Sequence, residues 1–506
     1  MIKSKIHNIN VLADTIKLHQ SKGSKIILCH GVFDLLHIGH IKYFKESKSM
    51  GDILVVTITS DQFVNKGPGR PAFNEEYRSE AIAALDVVDF VAINEWPTAV
   101  ETIKIIKPDI YVKGPDYKNY DEDISGNIKL EEDAVKSING KIAFTTDITF
   151  SSSSLINERI SNFTEEQQIY IDNLKQKYTF KKINDLIDNL SKLKVLLIGE
   201  IIIDEYVFCV SIGKSGKEPI LVNQKINSEM YAGGILSVAN HISDFCHSSK
   251  VMSYLGDKNS QGKFIKRNLN DNVELKSITK SNSSTILKTR FIDSYTNNKM
   301  VGIYDLNDDI LNNEEEENFN NMLLDNIADF DVVLVVDYGH GLITPKIVNS
   351  LEENSKYLAV NTQLNSFNMG YHTISKYTKA DYVCVHEGEL RNDYRNRHDS
   401  VEFLTQKLAD RIKSEVITIT RGNAGSFVYK GGKSLSCPAY ASKVVDRVGA
   451  GDTLLSITSL CFAAGLPEDL TLFLGNLAAA ETVATTGTGN KLNKVNLIKT
   501  VQTLLK

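Results

Sequence analysis

The stretch that decides the fold is Lys25-Ile-Ile-Leu-Cys-His-Gly-Val-Phe-Asp-Leu-Leu-His-Ile-Gly-His40. It predicts a short apolar strand over residues 25–30, a turn at Gly31 and a helix over about residues 38–49. In open parallel sheets, ligands bind at the carboxyl ends of the strands, where this turn falls. A glycine there lets the backbone approach a phosphate, and the helix start offers free N–H groups. The segment therefore predicts an α/β domain with a phosphate site at its first turn.

Strand and helix patterns continue on both sides of this segment. An amphipathic helix is expected near residues 9–21, and further strands are expected at residues 52–58, 87–93 and 109–112. Short apolar strands that alternate with helices predict a parallel sheet with right-handed crossovers. We therefore expect residues 1–160 to form a Rossmann-like domain.

A second α/β series follows a polar helical connector predicted for residues 161–190. Its strands are short and apolar, and they are expected at residues 194–200, 332–337, 382–385 and 416–420. Antiparallel strands are expected near residues 206–226 and 285–305, where β-branched and aromatic residues alternate with polar ones. We expect residues 191–506 to form a second α/β domain with a small β lid.

The composition excludes several classes of function. A net charge of −6 over 506 residues gives no basic surface for nucleic acid. No run approaches the roughly 18 apolar residues of a membrane span, and the first residues lack the apolar core of a signal peptide. The six cysteines form no C-x-x-C pair, which favours reduced thiols over disulfides or zinc. A cytoplasmic enzyme of small molecules is expected, without nucleic-acid or membrane partners.

Two histidines mark the chemistry of the first turn. His37 and His40 are three residues apart, so they share one face at the helix start. Two imidazoles in that place can donate hydrogen bonds to a triphosphate whose charge grows as the α-phosphorus is attacked. A row of serines, Ser151-Ser-Ser-Ser154, opens another predicted helix and offers hydroxyls and N–H groups. Arg70 and Lys113 are either solvated surface charges or phosphate ligands.

The first half resembles the cytidylyltransferase-like nucleotidyltransferases, and within them the adenylyltransferase domain of bifunctional heptose-phosphate kinase/adenylyltransferases. Besides His-x-Gly-His, the resemblance rests on residues 48–52, 69–71, 76–78, 112–117 and 151–154. It implies that His37, His40 and Lys48 are catalytic, with Lys48 meeting the triphosphate. It also implies a nucleotide site made by Gly31, Phe33, Asp34, Gly39, Asp61, Arg70, Lys113, Ser151, Ser152 and Ser153.

A second motif, Val448-Gly-Ala-Gly-Asp-Thr-Leu454, precedes an apolar helix. The N–H groups of Gly449, Ala450 and Gly451 can form an anion-binding nest at the helix start. Asp452 then lies beside a transferring phosphoryl group, where it can accept a proton from the attacking hydroxyl. Alone, the motif is also compatible with a simple helix cap.

The region over about residues 193–506 resembles the ribokinase-like (PfkB-type) sugar kinases. The elements that carry this resemblance are residues 199–204, 232–239, 336–339, 420–425 and 475–480. It implies an ATP site made by Thr420, Gly422, Gly425, Gly449, Ala450, Gly451 and Asn476. It also implies a sugar site made by Asp204, Gly233, Gly234 and Ser237, and Mg²⁺ organised by Glu389. Lys288 and Arg290 are either exposed strand residues or ligands of a substrate phosphate.

The sequence departs from these families at several positions. Ser237 stands where the kinases usually have a sugar-binding Asn, His386-Glu-Gly-Glu389 stands for Asn-x-x-Glu, and Glu200 stands where Asp is frequent. The domain order is also the reverse of the heptose enzyme, in which the kinase comes first. These differences leave the phosphate chemistry intact and the identity of the sugar open.

The two predicted reactions fit in series. A kinase that acts on an anomeric hydroxyl makes a sugar 1-phosphate, which is the nucleophile that the nucleotidyltransferase needs. We expect a heptose phosphate or related sugar to be phosphorylated at C1 and then to receive AMP, with ATP and Mg²⁺ as cofactors. The alternatives are a cytidylyltransferase that uses CTP and a polyol or other sugar phosphate, fused to a kinase of different specificity, or a half that serves as a sensor. A homodimer is expected from the resemblance to the kinases.

Overall fold

The computed structural model describes residues 3–117, 126–146, 163–487 and 491–505. The chain divides into two compact units, residues 1–162 with 498–506, and residues 163–497. The residues predicted as a connector are helical from Glu165 onward and belong to the second unit.

The first unit contains an open parallel sheet. Its strands are β1 (Ile26–Gly31), β2 (Ile53–Thr59), β3 (Phe90–Asn94), β4 (Ile110–Lys113) and β5 (Lys141–Phe144). Its helices are α1 (Ile9–Ser21), α2 (Ile38–Lys48), α3 (Glu75–Ala83), α4 (Val100–Ile106) and α5 (Asn127–Ser137). The strand order is β3-β2-β1-β4-β5, so the chain adds strands on one side of β1 up to β3 and on the other side from β4 onward. A ligand crevice is expected at such a switch point, at the carboxyl ends of β1 and β4. The predicted Rossmann-like fold is confirmed.

The core of this unit lies on both faces of the sheet. On one face α1 buries Ile9, Leu12 and Ile16 at helical spacing, together with Leu28 of β1. On the other face Phe44 of α2 packs in a cluster with alternate strand residues. Because β1 is covered on both sides, its sequence is apolar throughout and its polar turn emerges only at the carboxyl edge.

The second unit contains a nine-stranded sheet with the order β10-β9-β6-β13-β14-β15-β16-β17-β18. Its strands are β6 (Lys194–Gly199), β9 (Ser248–Gly256), β10 (Val273–Lys280), β13 (Val332–Asp337), β14 (Leu358–Thr362), β15 (Tyr382–His386), β16 (Val416–Thr420), β17 (Ser426–Lys430) and β18 (Lys433–Cys437). The strands from β10 to β16 are parallel, and β17 and β18 add antiparallel pairs at one edge.

The helices of the second unit are α6 (Glu165–Lys177), α7 (Phe180–Asn189), α8 (Ile235–Ile242), α9 (Gly262–Asn268), α10 (Asn313–Ile327), α11 (Pro345–Asn354), α12 (Glu387–Asp393), α13 (Val401–Ile412), α14 (Ala450–Ala463) and α15 (Glu468–Val483). The last helix, α16 (Lys494–Leu504), begins in the second unit and continues into residues assigned to the first. The helices α14 and α15 are buried almost all round, which explains why their sequences lack a polar face.

A separate four-stranded sheet forms the predicted lid. Its strands are β7 (Ile201–Lys214), β8 (Leu221–Gly234), β11 (Ile286–Asp293) and β12 (Lys299–Asp305). The order is β12-β11-β7-β8, with antiparallel pairing except between β11 and β7. This pairing places Asp204 of β7 beside Lys288 of β11.

Two further expectations concern the whole chain. Among the described residues, no helix combines the length and apolar character that a bilayer crossing requires. All six cysteines are buried and unpaired with one another, as expected for reduced thiols.

Candidate active sites

The first candidate site lies at the carboxyl end of β1. Gly31 ends this strand, and α2 begins at Ile38 with His37 as its N-cap residue. The His37 Nδ1 accepts a hydrogen bond from the Gly39 backbone N–H at 3.1 Å. One turn further, the His40 ring stacks on the His37 ring with centroids 4.0 Å apart. The predicted pairing of the two imidazoles at a helix start is therefore present in the structure.

Both imidazoles are held in the neutral form. Burial, the neighbouring His37 and the charge of Lys66 lower the pKa of His40 to about 3. Burial also lowers the pKa of His37. Because the His37 Nδ1 accepts the Gly39 N–H, the neutral ring carries its proton on Nε2.

Phe33 fixes the turn between β1 and α2. Its backbone is in the left-handed region with φ of +48°, and its side chain is buried. The ring packs edge-on against His40 with centroids 5.3 Å apart and also contacts Phe44. Phe33 thus positions His40 from behind, a packing role that the nucleotide-binding prediction did not include.

The Asp34 carboxylate has partners within the protein, and its predicted contact with a nucleotide stays a prediction. It is buried, and it accepts the backbone N–H groups of Ala72 at 2.7 Å and Phe73 at 3.1 Å. It also forms an ion pair with Arg70 at 3.3 Å. Asp34 therefore holds the loop that carries Arg70, and it is a positioning residue.

Asp61 lies just beyond β2 and is held by two partners. Its carboxylate contacts the fully buried Arg78 guanidinium at 2.5 Å and accepts the Glu75 N–H at 3.1 Å. Arg78 also donates to the carbonyls of Val32 and Thr59, so it ties together the turns that follow β1 and β2. Sequence reasoning quoted Arg78 as part of the resemblance and assigned it no role.

Lys48 requires a correction. It ends α2, about 15 Å from the helix start at 1.5 Å rise per residue. Its ammonium pairs with Asp89 at 2.5 Å and donates to the Asp52 carbonyl. Lys48 therefore lies at the opposite end of the helix from the paired histidines and does not meet a triphosphate there.

Lys66 is the cation that sequence reasoning missed. It follows Asp61 in the loop after β2, and its charge lowers the pKa of His40. The signal that could have found it is its place after a second strand of the same parallel sheet, because the carboxyl ends of these strands meet at one edge.

Lys113 ends β4 at the same edge of the sheet. Its buried ammonium forms an ion pair with the buried Glu131 at 2.9 Å, and Glu131 also accepts from the Tyr111 hydroxyl at 3.0 Å. The Lys113 ammonium lies 4.9 Å from the centroid of the half-exposed Tyr117 ring. Ser151, Ser152 and Ser153 lie outside the described residues.

The second candidate site is a cleft of about 720 Å³ within the second unit. With the exception of Gly233 and Ser237, it brings together the residues predicted for this unit. These are Asp204, Gly234, Lys288, Arg290, Glu389, Thr420, Gly422, Gly425, Gly449, Ala450, Gly451, Asp452 and Asn476.

The predicted nest begins α14. Gly449 is the N-cap residue with φ of +85°, a conformation that favours glycine, and no side chain caps the helix start. The first N–H groups of an α-helix have no intrahelical partner. They line the cleft here, beside the carboxylate of Asp452. The arrangement suits an anionic phosphoryl group.

Asp452 is oriented by a residue that the sequence reasoning did not assign. The Gln363 Nε2 donates to the Asp452 Oδ1 at 2.6 Å. Burial raises the pKa of Asp452 to about 6. Gln363 directly follows β14, so its position after a strand of the parallel sheet was the available signal.

Asp204, Arg290 and Lys288 gather at the lid side of the cleft. Arg290 and Asp204 form an ion pair, and Asp204 lies so close to Gly233 that a Cβ there would clash with it. Lys288 is partly buried, which lowers its pKa, and it has no ion-pair partner among the residues that the structure describes. A partly desolvated cation of this kind can bind an anionic group of a substrate.

Ser237 does not belong to the cleft, which corrects its predicted sugar contact. Its side chain is buried in α8, and its hydroxyl pairs with the His241 Nε2 at 3.1 Å. His241 also contacts the Thr453 hydroxyl at 3.2 Å. A residue as short as serine at this position reaches its own helix and α14 rather than a ligand.

The residues around Glu389 fit a magnesium ion bound through water. Its oxygens accept the N–H groups of His386 at 2.7 Å and Leu364 at 3.1 Å, and burial raises its pKa to about 7. Among the described residues there is no cluster of three or more potential ligands. Mg²⁺ is commonly held by one or two carboxylates together with waters and substrate phosphates, so Glu389 and the nearby Asp452 are sufficient.

The other end of the cleft is formed by Thr420, Gly422 and Gly425 after β16 and by the α15 residue Asn476. The Asn476 Nδ2 donates to the Ser426 hydroxyl at 2.6 Å and to the Leu472 carbonyl at 2.8 Å. Small and apolar residues of α15 continue this wall, which suits a flat base.

The pH dependence of phosphorylation follows from the two buried carboxyls. With Asp452 at about 6 and Glu389 at about 7, both become protonated as the pH falls through this range. Protonation of Glu389 removes the charge that would organise Mg²⁺, so kcat/KM for phosphorylation should begin to fall below pH 7. A protonated Asp452 cannot accept a proton, so the slope should approach two below pH 6. Rate measurements from pH 5 to 9 test this, and Glu389→Gln should remove the upper step. A profile that stays flat down to pH 5 would contradict it.

The raised pKa values of Asp452 and Glu389 also make the free energy of unfolding depend on pH. Their folded-state pKa values lie above those of an unfolded chain. Their contribution to the free energy of unfolding is therefore fully present below the unfolded pKa values and is lost as the pH rises through 6 to 7.

Comparison with known proteins agrees with this division of the chain. Residues 28–159 match the family model described as cytidylyltransferase-like, and residues 192–495 match that of the pfkB family carbohydrate kinases. A bifunctional protein HldE from Trichlorobacter lovleyi is 37% identical over 167 residues, which is 32% of this chain and 33% of that protein. HldE from Aliarcobacter butzleri is 42% identical over 135 residues, 26% of this chain and 27% of that protein.

These curated relatives are matched over only about a third of their length, and the match covers the cytidylyltransferase-like part. Among solved structures, Escherichia coli phosphofructokinase-2 in complex with potassium has a TM-score of 0.50 at 15% identity, covering 62% of this chain and 100% of that one. At this identity the likeness shows the fold of the second unit. The chain therefore belongs to the pfkB family of carbohydrate kinases and carries a cytidylyltransferase-like domain ahead of the kinase domain.

Proposed function

We propose that the chain is a bifunctional enzyme that phosphorylates a sugar phosphate at C1 and then transfers a nucleotidyl group to the new phosphate. The observation that carries the proposal is the second cleft, which joins an uncapped helix start, an oriented carboxylate and a partly buried lysine in one cavity. The paired neutral histidines at the start of α2 support the second activity.

The kinase step uses the residues of this cleft directly. Asp452, held by Gln363, accepts the proton of the anomeric hydroxyl as its oxygen attacks the γ-phosphorus of ATP. The oxygen–phosphorus bond forms while the bond to the β-phosphate oxygen breaks, and ADP leaves. The N–H groups of the nest stabilise the charge on the transferring group. Mg²⁺, organised by Glu389 through water, would supply charge neutralisation on the phosphates.

Lys288 and Arg290 favour a sugar that already carries a phosphate. The Arg290 charge is compensated by Asp204, whereas the Lys288 ammonium faces the Tyr304 ring, 5.7 Å from the ring centroid. An unphosphorylated sugar would leave the charge of the partly buried Lys288 uncompensated in the closed cleft, which costs free energy. A heptose phosphate is the substrate that this site and the similarity to HldE support best.

The nucleotidyl step needs no nucleophile from the protein. The oxygen of the sugar 1-phosphate attacks the α-phosphorus of ATP in line, and pyrophosphate leaves. The stacked His37 and His40 rings lie at the helix start, where imidazoles can stabilise the growing charge on the phosphates. Lys66 lies in the loop after β2 and adds positive charge beside His40, whereas the charges of Arg70 and Lys113 are paired with Asp34 and Glu131.

Product analysis tests the proposal. The purified chain is incubated with Mg²⁺, with ATP or CTP, and with a panel of heptose, hexose and polyol phosphates, and products are identified by mass spectrometry. The proposal predicts an ADP-sugar from a heptose phosphate and ATP, with release of ADP and pyrophosphate. A CDP-linked product would support the cytidylyltransferase alternative. If neither ADP nor pyrophosphate is released with any sugar of the panel, the proposal is wrong.

We also propose a homodimer formed through the lid. Val301 and Ile303 of β12 are 53% and 60% exposed, and Met230 of β8, at the other edge of the same sheet, is 36% exposed. Burying such a face against a second copy is favourable. Light scattering should give twice the mass of the 56.4 kDa chain, and Ile303→Asp should shift it to the monomer. A monomeric wild-type chain would contradict the proposal, and Thr289→Asp on the neighbouring strand is a second test.

A further inference from the structure

Helix α6 directly precedes the kinase domain in sequence, yet its first residues contact a wall of the second cleft. The Gln167 Nε2 donates to the Ala439 carbonyl at 2.6 Å. Ala439, Tyr440 and Ala441 line the cleft on the side of Asn476. A pocket-lining loop is thus bonded to a segment that lies outside residues 192–495, the part of the chain that matches the kinase family.

Gln167 has two functions in this contact. The Gln167 Oε1 accepts a hydrogen bond from the Thr164 backbone N–H at 2.7 Å. The Gln167 backbone N–H donates to the Thr164 hydroxyl, and the two bonds together form a capping box. The rest of the amide is therefore held in one orientation, with its NH₂ group directed at Ala439. A donor whose position is already fixed loses little entropy when it binds the loop.

Aromatic rings extend the contact to the neighbouring residue of the loop. The Tyr440 ring is buried between Phe163 and Phe473, with centroid distances of 6.1 Å and 5.3 Å and near-perpendicular planes. The Tyr170 ring of α6 lies against the other side of this cluster, 6.4 Å from Phe473. Such edge-on pairs favour one arrangement of the loop over others.

The same helix also contacts α15, which forms the neighbouring wall. The Tyr170 hydroxyl donates to the Asp469 carbonyl at 2.8 Å, and the Asp469 carboxylate binds Lys177 at 2.7 Å and the Tyr178 hydroxyl at 2.9 Å. Asp469 lies in the first turn of α15, the helix that brings Asn476 to the cleft. One helix therefore contacts both elements that enclose this end of the cavity.

We propose that α6 is a positioning element of the kinase's nucleotide site, which fixes the spacing between the loop of residues 439–441 and α15. The inference rests on the proposed function in one respect, that this end of the cleft receives the base of ATP. Residues 163–178 would thus act on nucleotide affinity through the loop, without touching the nucleotide. The acceptor end, where Asp204 and Lys288 lie, would not be affected.

The test is Gln167→Glu in the full-length chain. Glutamate keeps the capping box, since Glu and Gln both serve there, but it removes the donor and directs a carboxylate oxygen at the Ala439 carbonyl. The matched control is Gln176→Glu, the same change at an exposed position of the same helix. Each is made in a chain that also carries His37→Ala and His40→Ala, which weakens nucleotide binding by the first unit.

Binding of ADP is measured by titration calorimetry. Gln167→Glu should raise the dissociation constant of ADP about three- to tenfold, as expected for the loss of one hydrogen bond to the wall. Gln176→Glu should leave it within about twofold, and KM for the sugar should be unchanged in both. Phe163→Ala, which removes the ring beside Tyr440, should act in the same direction.

The outcomes separate this inference from the proposed function. If ADP binds Gln167→Glu and Phe163→Ala as tightly as it binds the parent chain, the inference is wrong, while the proposed function stands. If both variants weaken the binding of ADP and the sugar equally, the helix is only a general support of the fold, which also contradicts the inference. If the parent chain itself binds no ADP, the proposed function and the inference fail together.

Discussion

Asp452→Asn should lower the rate of sugar phosphorylation by about 10²- to 10⁴-fold, the range of general-base catalysis. The change removes the proton acceptor and preserves the shape of the side chain. The amide oxygen of the introduced asparagine can still accept from Gln363, which donates to the Asp452 Oδ1 at 2.6 Å. The cleft should therefore keep its geometry, and ADP should bind with nearly unchanged affinity. The measurement is the release of ADP in the presence of a sugar phosphate.

Two controls make this result specific. Asp325→Asn, the same change at an exposed position of α10, should phosphorylate at the normal rate. Release of pyrophosphate from ATP and a supplied sugar 1-phosphate should continue in Asp452→Asn, because that reaction uses the first unit. A variant that phosphorylates within about tenfold of the wild type would exclude Asp452 as the base.

The fold could be predicted because its signals are local. The strands β13 and β16 have the bounds that their apolar sequences predict, and α1 spans the predicted residues 9–21. These segments are covered on both faces or along one stripe, so the positions of their apolar residues in the sequence show which side chains are buried. The two phosphate cradles could be predicted for a related reason, since glycine turns followed by helices form them within a few residues.

Contacts between distant segments were less predictable. Gln363 lies 89 positions before Asp452 and meets it only because β14 ends at the same edge of the sheet. The role of Arg78 likewise depends on two turns that the chain brings together. The spacing of residues in the sequence does not predict such long-range contacts. A polar residue directly after a parallel strand is nevertheless a usable signal of a site residue.

The two corrected assignments share a physical cause. The roles of Lys48 and Ser237 were assigned from the resemblance of the sequence around them to known families. However, the two ends of a helix lie far apart, and its faces point in different directions. Lys48 lies three turns beyond His37, where Asp89 neutralises it. Ser237 faces His241, four residues later on the same side of α8, and not the cleft. Position along a helix thus decides which residues near a motif can take part in its chemistry.

His40→Ala should lower nucleotidyl transfer by about 10²- to 10³-fold while sugar phosphorylation continues at the normal rate. The magnitude is that of removing one preorganised donor from a site where charge develops. Burial and the charge of Lys66 keep the pKa of His40 at about 3, so the wild-type ring acts at neutral pH as a neutral donor and not as a cation. The measurement is the release of pyrophosphate from ATP and a sugar 1-phosphate.

A graded set of variants distinguishes hydrogen bonding from packing. The His40 ring supports both its stacked partner His37 and the buried Phe33, so alanine removes packing as well as a donor. His40→Gln restores an N–H donor without the ring and should recover part of the lost rate, whereas His40→Leu restores volume alone and should recover none. His398→Ala, at an exposed position, should have no effect. If His40→Leu is as active as His40→Gln, the ring acts by packing Phe33 in place, and the assignment of His40 as a donor to the phosphates is wrong.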